Sequence, residues 1–296
     1  ISTRTIGLPL FTAADQTSYL TSATTVALAA VDPTVQGVAS GVGLIEAGLD
    51  GGAFAVYLTN LTFTQGRHIL VYRAADKVGN TESDQSFAFS VDDTPPVTTV
   101  HIGTPTFAAA DAVRYVTPQT PVSFTAEDPV VAQVVSGLSR IEVDVDGAGF
   151  AVYSSTLTFA EGRHTVRFRA LDRVGNVEAA QTVFLRSDAT PPLTSLQPSA
   201  AFFTAAGKDF APANFTYTLP AADPVVQEVA SGVALTRLSL DNGTLQNLTS
   251  YFSLSEGARL ALFQSQDNVG NLELLKAATV YVDATAPATA LAIGAP

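Results

Sequence analysis

The chain contains no cysteine, no methionine and no tryptophan in its 296 residues. Without cysteine there is no disulfide, no thiolate nucleophile and no sulfur-ligated zinc, and thiols say nothing about the redox compartment. Without methionine the sequence does not open on an initiator, and no charged-then-apolar segment opens it, so it reads as a processed or excised piece of something longer. Charge is scarce at 14%: fifteen lysines and arginines stand against 27 acids, for a net charge of −12 and a pI near 4.5. That balance argues against nucleic acid, whose phosphates need clustered basic side chains, and makes cations the expected electrostatic partners. No apolar run approaches the length of a membrane span, so no membrane insertion is expected.

What the chain does have is repetition. "AADKVGNTES" at 74–83 returns as "ALDRVGNVEA" at 170–179 and "SQDNVGNLEL" at 265–274, which sets Asp76, Asp172 and Asp267 steps of 96 and 95 residues apart. Other positions keep the same step. "VDPTVQGVASGV", "EDPVVAQVVSGL" and "ADPVVQEVASGV" bring Asp32, Asp128 and Asp223 into register, and "VDDTPP", "SDATPP" and "VDATAP" close the three periods. An enzyme needs its chemistry once, so a motif written three times at one period points to repeated architecture. The periods divide the chain into 1–96, 97–192 and 193–287. Residues 288–296, "ATALAIGAP", match the start of each period and are expected to be the first strand of a further repeat.

Inside a period the pattern is that of strands. In "RHTVRFRALD", Val166, Phe168 and Ala170 alternate with Arg167 and Arg169; in "SRIEVDVDG", Ile141, Val143 and Val145 alternate with Glu142 and Asp144. "DGAG" and "DRVGN" read as hairpin turns. The second period yields about seven strands, near 97–102, 120–127, 138–145, 150–154, 156–160, 164–171 and 177–187, the count of an immunoglobulin-like sandwich. The expected fold class is all-β: tandem immunoglobulin-like β-sandwiches of about seven strands each, joined by proline-stiffened hinges at "TPP".

With "SGV", "LDGGAF", "GRH", "YRAADKVGNTE" and "VDDTPPVT" in this order, the chain resembles the bacterial immunoglobulin-like repeats of long surface and secreted proteins, of the type first described in a leptospiral outer-membrane protein. The resemblance covers nearly all of residues 10–287. It implies an extracellular or cell-surface setting and a role as spacer, stalk or adhesive module. Neighbouring repeats of the same chain are the expected first partners, and homopolymeric self-association into a surface filament or sheath is a variant of this reading, since an open array of repeats offers a complementary end at every unit. The third period departs from the pattern, with "SEGAR" for "EGRH" and "TAP" for "TPP".

Two readings of the acidic motifs stay open. In an up-and-down sandwich the loops holding Asp128 and Asp172 lie at the pole where the chain enters, beside Asp92 and Asp93. Asp92, Asp93, Asp128, Asp172 and Glu178 could therefore hold a calcium ion at the first joint, and Asp188, Asp223, Asp267 and Glu273 at the next, since oxygen-only ligands in that number suit calcium. The other reading is local: the aspartate caps backbone amides two to four residues on, and Gly-Asn supplies the positive φ of a turn. No further cofactor is expected.

The remaining candidates read as structural. His68 and His164 are too few for zinc and are expected in exposed turns or against Asp92. Glu142 and Asp144 read as a solvated strand face, and the absence of G-x-S-x-G, H-E-x-x-H and Walker sequences argues against an enzyme. Asn60, Asn214, Asn242 and Asn247 open N-x-[ST] triplets of the kind chance supplies in such a composition. Tyr57 and Tyr153 carry the alternative function, a carbohydrate-binding accessory region of a secreted polysaccharide-active enzyme, if they form an exposed aromatic row.

Overall fold

The computed structural model describes residues 1–110 and 112–292, and among them there is no helix, hence none long and apolar enough to cross a membrane. Each period builds the same six-stranded sheet, and the smaller sheet of the third period is split in two, Leu193–Thr194 with Ala221–Ala222 and Gln197–Pro198 with Thr216–Thr218 and Phe252–Ser253. In the first period, Ser2–Ile6 pairs antiparallel with Val26–Ala30, and Leu61 bridges to Val26 on the other side. The facing sheet has six strands in the order Leu10–Thr12, Ser18–Leu20, Gln85–Val91, Gly66–Asp76, Val42–Leu49 and Ala55–Val56. Ser18–Leu20 runs parallel to Gln85–Val91, and every other pair is antiparallel. Two strands extended by the Leu61 bridge, facing six strands with one parallel pair next to the edge, make an immunoglobulin-like sandwich. Six-stranded sheets with the same order recur in the second period, from Thr106–Ala108 to Ala151–Val152, and in the third, from Phe203–Ala205 to Gln246–Asn247.

Several strands fall where alternation places them. Val97–Ile102 and Leu138–Val145 coincide with expectation, and Val122–Glu127 and Gly162–Asp172 lie within two residues of it. The run 156–160 forms only a single bridge, Leu157 to Val122. Residues 288–292 carry no strand, and 293–296 lie outside the described residues.

Spatial proximity groups the chain into two compact units that do not follow the period boundaries. One comprises Ile1–His101, Ser123–Thr156 and Val166–Val183; the other comprises Ile102–Val122, Leu157–Thr165 and Phe184–Pro296.

In the first unit, Leu70 and Tyr72 alternate inward from Gly66–Asp76 and meet Leu20, Val26, Leu28, Phe63, Phe87, Phe89 and Val91. Phe63 packs edge-on to Phe89 at 4.7 Å, and Phe87 stacks on Phe89 at 4.9 Å; paired rings add specificity to a core without tryptophan or disulfide. In the second unit, Tyr217, Leu254, Val280 and Val282 form one cluster, and Leu219, Leu238, Ala261 and Phe263 another. The Tyr217 hydroxyl is buried without a hydrogen-bond partner, and burial pushes its pKa up.

Candidate functional site

The three aspartate motifs are built locally before they meet. At the end of Val122–Glu127 the chain turns into "DPVVAQVVSG", where Val131 and Val134 bond each other's backbone around Ala132 and Gln133, both at positive φ. The Asp128 Oδ2 accepts the Gly137 N–H at 2.7 Å and closes this loop, as Asp32 does with Gly41 at 2.8 Å and Asp223 with Gly232 at 2.6 Å. In "DRVGN", Asp172 Oδ1 accepts the N–H groups of Gly175 and Asn176, both at 2.7 Å, and its Oδ2 accepts the Asn176 side-chain amide at 2.7 Å. Asp76 and Asp267 make the corresponding contacts with Asn80 and Asn271. The capped turn is therefore present in all three periods, with Gly79, Gly175 and Gly270 at positive φ as the turn requires.

The third aspartate comes from the hinge. Asp92 is fully buried, and its N–H donates to the Leu20 carbonyl. Its Oδ2 accepts the Ser136 N–H at 2.6 Å, and its own carbonyl accepts the second Asn176 amide hydrogen at 2.7 Å. Asp188 repeats this with Ser231 N–H at 2.6 Å and the Asn271 amide at 3.0 Å. The result is two triads, Asp92, Asp128 and Asp172, all buried, in the first unit, and Asp188, Asp223 and Asp267, with Asp223 half-buried, in the second. Within each, one oxygen per carboxylate lies within 4.8 Å of the others.

Their electrostatics are unbalanced. Among the described residues, none of the six forms a salt bridge. Burial, against the opposing Gly137 N–H, and then the neighbouring Asp92 and Asp172 charges push the Asp128 pKa up to about 6. Burial and the Asp188 and Asp267 charges do the same to Asp223, and burial raises Asp267. Asp128 Oδ1, Asp223 Oδ1 and the hydroxyls of Ser136 and Ser231 are buried with no hydrogen-bond partner.

Three of the residues expected at the joints are not brought in. Asp93 is half-buried and turned away, its Oδ1 accepting the Ser22 N–H at 2.7 Å and its N–H donating to Gln65. Glu178 faces the opposite side of the strand end, where it accepts Thr98 N–H, Thr98 Oγ1–H and Ala170 N–H. Glu273 likewise accepts Thr194 N–H and pairs with Lys276 at 2.6 Å. These glutamates staple the first strand of a period to its longest strand, which satisfies them fully without a metal. The participants that sequence reasoning missed are Ser136, Ser231, Asn176 and Asn271; all four sit at positions that keep the repeat step.

Beside each triad lies an apolar contact. Val134 and Val174 are buried in the first unit. In the second unit, Val229 and Val269 pack against Tyr115, Phe107 and Val113. The corresponding Val38 and Val78 of the first period, in the same local conformation, are 74% and 73% exposed. Arg163 adds an ion pair to Glu228 at 3.2 Å.

Other candidates resolve into packing. His68 bonds Asp50 at 2.8 Å and the Thr64 carbonyl, and does not reach Asp92. Glu142 and Asp144 are buried rather than solvated, covered by Arg140, Arg169 and Arg167, with Arg169 stacked 4.1 Å over Phe150. Tyr57 packs on the first core and Tyr153 lies T-shaped against Phe124 at 5.2 Å, both half-buried.

No family model matches the chain, and no curated protein matches it. Among solved structures it is similar to fibronectin(III)-like modules of Clostridium thermocellum CbhA, at 17% identity over 62% of this chain and 94% of that chain, with a TM-score of 0.34. It is also similar to dimeric latent PorU from Porphyromonas gingivalis, at 12% identity over 96% of this chain and about a third (34%) of that chain, with a TM-score of 0.24. The fold assignment rests on the strand order and register given above.

Proposed function

We propose that the chain is a non-catalytic structural region acting outside the cell, with the periods 1–96, 97–192 and 193–287 as its building blocks and a stalk or a surface filament as its setting. The observation that carries this reading is the twice-built joint. A hinge aspartate is held by a serine N–H and an asparagine amide of the following period, and two valines beside it are buried. A spacer must resist bending at its joints, and charge-assisted hydrogen bonds around a buried apolar contact supply that resistance. The triads offer no nucleophile beside a base and no acid–base pair facing a cleft, which supports a mechanical role for them. The ordered repeat motifs and the acidic, strand-rich composition support the extracellular setting.

Small-angle scattering tests it. End-to-end repeats of this size give a maximum dimension above about 100 Å. A compact particle with a radius of gyration near 19 Å, the value for a single globule of this length, would set the proposal aside.

A further inference from the structure

We propose that each triad, Asp92 with Asp128 and Asp172 and Asp188 with Asp223 and Asp267, is a calcium site in which a neighbouring serine hydroxyl is a further oxygen ligand. This deepens the reading of the triads as joints and rests on it.

Three observations point to a cation. First, three carboxylates gathered within 4.8 Å in a buried place carry a formal charge of −3, and no basic side chain pairs with any of them among the described residues. Buried like charges persist only when something neutralises them. A single shared proton removes one charge, whereas a divalent ion removes two and attracts all three groups at once.

Second, the polar atoms left over are all oxygens. Asp128 is more than nine-tenths buried and its Oδ1 has no partner; the Ser136 hydroxyl, buried against that carboxylate, has none either. Asp223 Oδ1 and the Ser231 hydroxyl repeat the arrangement. A buried polar atom without a partner costs stability; the Ser40 hydroxyl of the first period is unpartnered as well, so it is the orphan carboxylate oxygen, found among the described residues at Asp128 and Asp223, that marks the place of an absent ligand.

Third, the carboxylates are held in place by N–H groups, Asp128 by Gly137, Asp92 by Ser136 and Thr94, and Asp172 through both oxygens by Gly175 and Asn176, so that in this triad Asp128 alone leaves an oxygen without a donor. Outer-shell donors of this kind fix carboxylates that face a metal. The donor set is oxygen only, which disfavours zinc and suits calcium, which takes six to eight oxygen ligands in a flexible geometry.

The first period marks the boundary of the inference. Asp32 and Asp76 keep their loop contacts there, but no hinge aspartate joins them, and they form no such cluster among the described residues. The expected stoichiometry is therefore two ions per chain.

The test uses the whole chain, stripped with chelator and titrated with calcium in a calorimeter, with melting followed in parallel. The expected result is two sites and a melting temperature raised by about 3 °C or more at saturating calcium. Magnesium at the same concentration should give less than half the shift. The double variant D128N/D223N separates binding from folding. Its amide oxygen still accepts the Gly137 or Gly232 N–H, and its amide nitrogen donates from the place of the orphan oxygen. It should melt at or above the stripped parent and show no calcium heat. No heat and no shift in the parent at about 5 mM calcium, above the range of weak extracellular sites, would overturn the proposal, as would two sites surviving in the double variant. The scattering profile separates the two readings: protein that shows no calcium heat and no melting shift and is still extended leaves the structural proposal standing and removes the ion alone.

Discussion

The Asp92 carboxylate accepts the Ser136 backbone N–H at 2.6 Å across 44 residues of chain, and Asp188 does the same for Ser231 at 2.6 Å across 43. A hydrogen bond to a buried carboxylate is worth more than one between neutral groups, and its repetition at one step identifies the hinge aspartate as part of the following repeat rather than of the linker alone.

The asparagine of D-x-V-G-N should therefore matter unequally. Asn176 bonds both Asp172 and the Asp92 carbonyl, whereas Asn80 is bonded only within its own turn, to Asp76. Asn176→Ala is expected to cost about 2 kcal/mol in denaturant unfolding, and Asn80→Ala about half of that. Equal costs would mean that the bond to Asp92 contributes nothing.

Valines at one repeat position should likewise differ. Val134→Ala removes apolar surface that is buried and is expected to cost roughly 1.5 kcal/mol. Val38→Ala acts on an exposed side chain and should fall within about 0.5 kcal/mol of the parent. Chemical denaturation of the two variants compares them directly.

Much of this was legible in the sequence, and what was not has physical causes. Alternation in 138–145 and 164–171 located two neighbouring strands of the six-stranded sheet of the second period, because one set of side chains enters the core while the charged set pairs across the other face, Glu142 with Arg169 and Asp144 with Arg167. The short hairpin of Thr106–Ala108 and Arg114–Val116 was not foreseen: its strands have three residues each, too few for a period to show. Its parallel pairing with Gln181–Ser187 depends on closure of the whole sandwich. The triads were foreseen because the pole of each loop follows from strand direction. Glu178 was grouped with them because spacing brings it near the pole without revealing which side of the strand it takes, and Thr98 and Ala170 hold it on the other side.

Tyr217 offers a stabilising change. It takes the place held by Val26 and Val122 in the other periods, and its hydroxyl has no partner. Tyr217→Phe is expected to raise stability by about 1 kcal/mol, read as a higher denaturation midpoint at unchanged slope.

Glu142 sets a pH-dependent comparison. Its hydrogen bond from Arg140, together with those from Arg169, holds its pKa below the usual value of 4.5 in the folded chain. A depressed carboxylate pKa gives stability that is present above the unfolded value and is lost as pH falls through the folded one. Asp128 and Asp223, with raised values, contribute with the opposite sign, but that contribution cancels between variant and parent. Glu142→Gln should be about 1 to 2 kcal/mol less stable than the parent at pH 7 and indistinguishable from it near pH 2. A gap that persists at low pH would assign the loss to packing.

The absence of cysteine makes the decisive measurement clean, because two introduced thiols are the only ones to label. Spin labels at the exposed positions Ser83 and Ser155 report the distance between the first period and the second within one compact unit. With the hinge aspartate in place the pulsed-dipolar distance distribution should be a single narrow peak, and in Asp92→Ala it should broaden. A broad distribution in the parent, or a narrow one that ignores the substitution, would contradict the account.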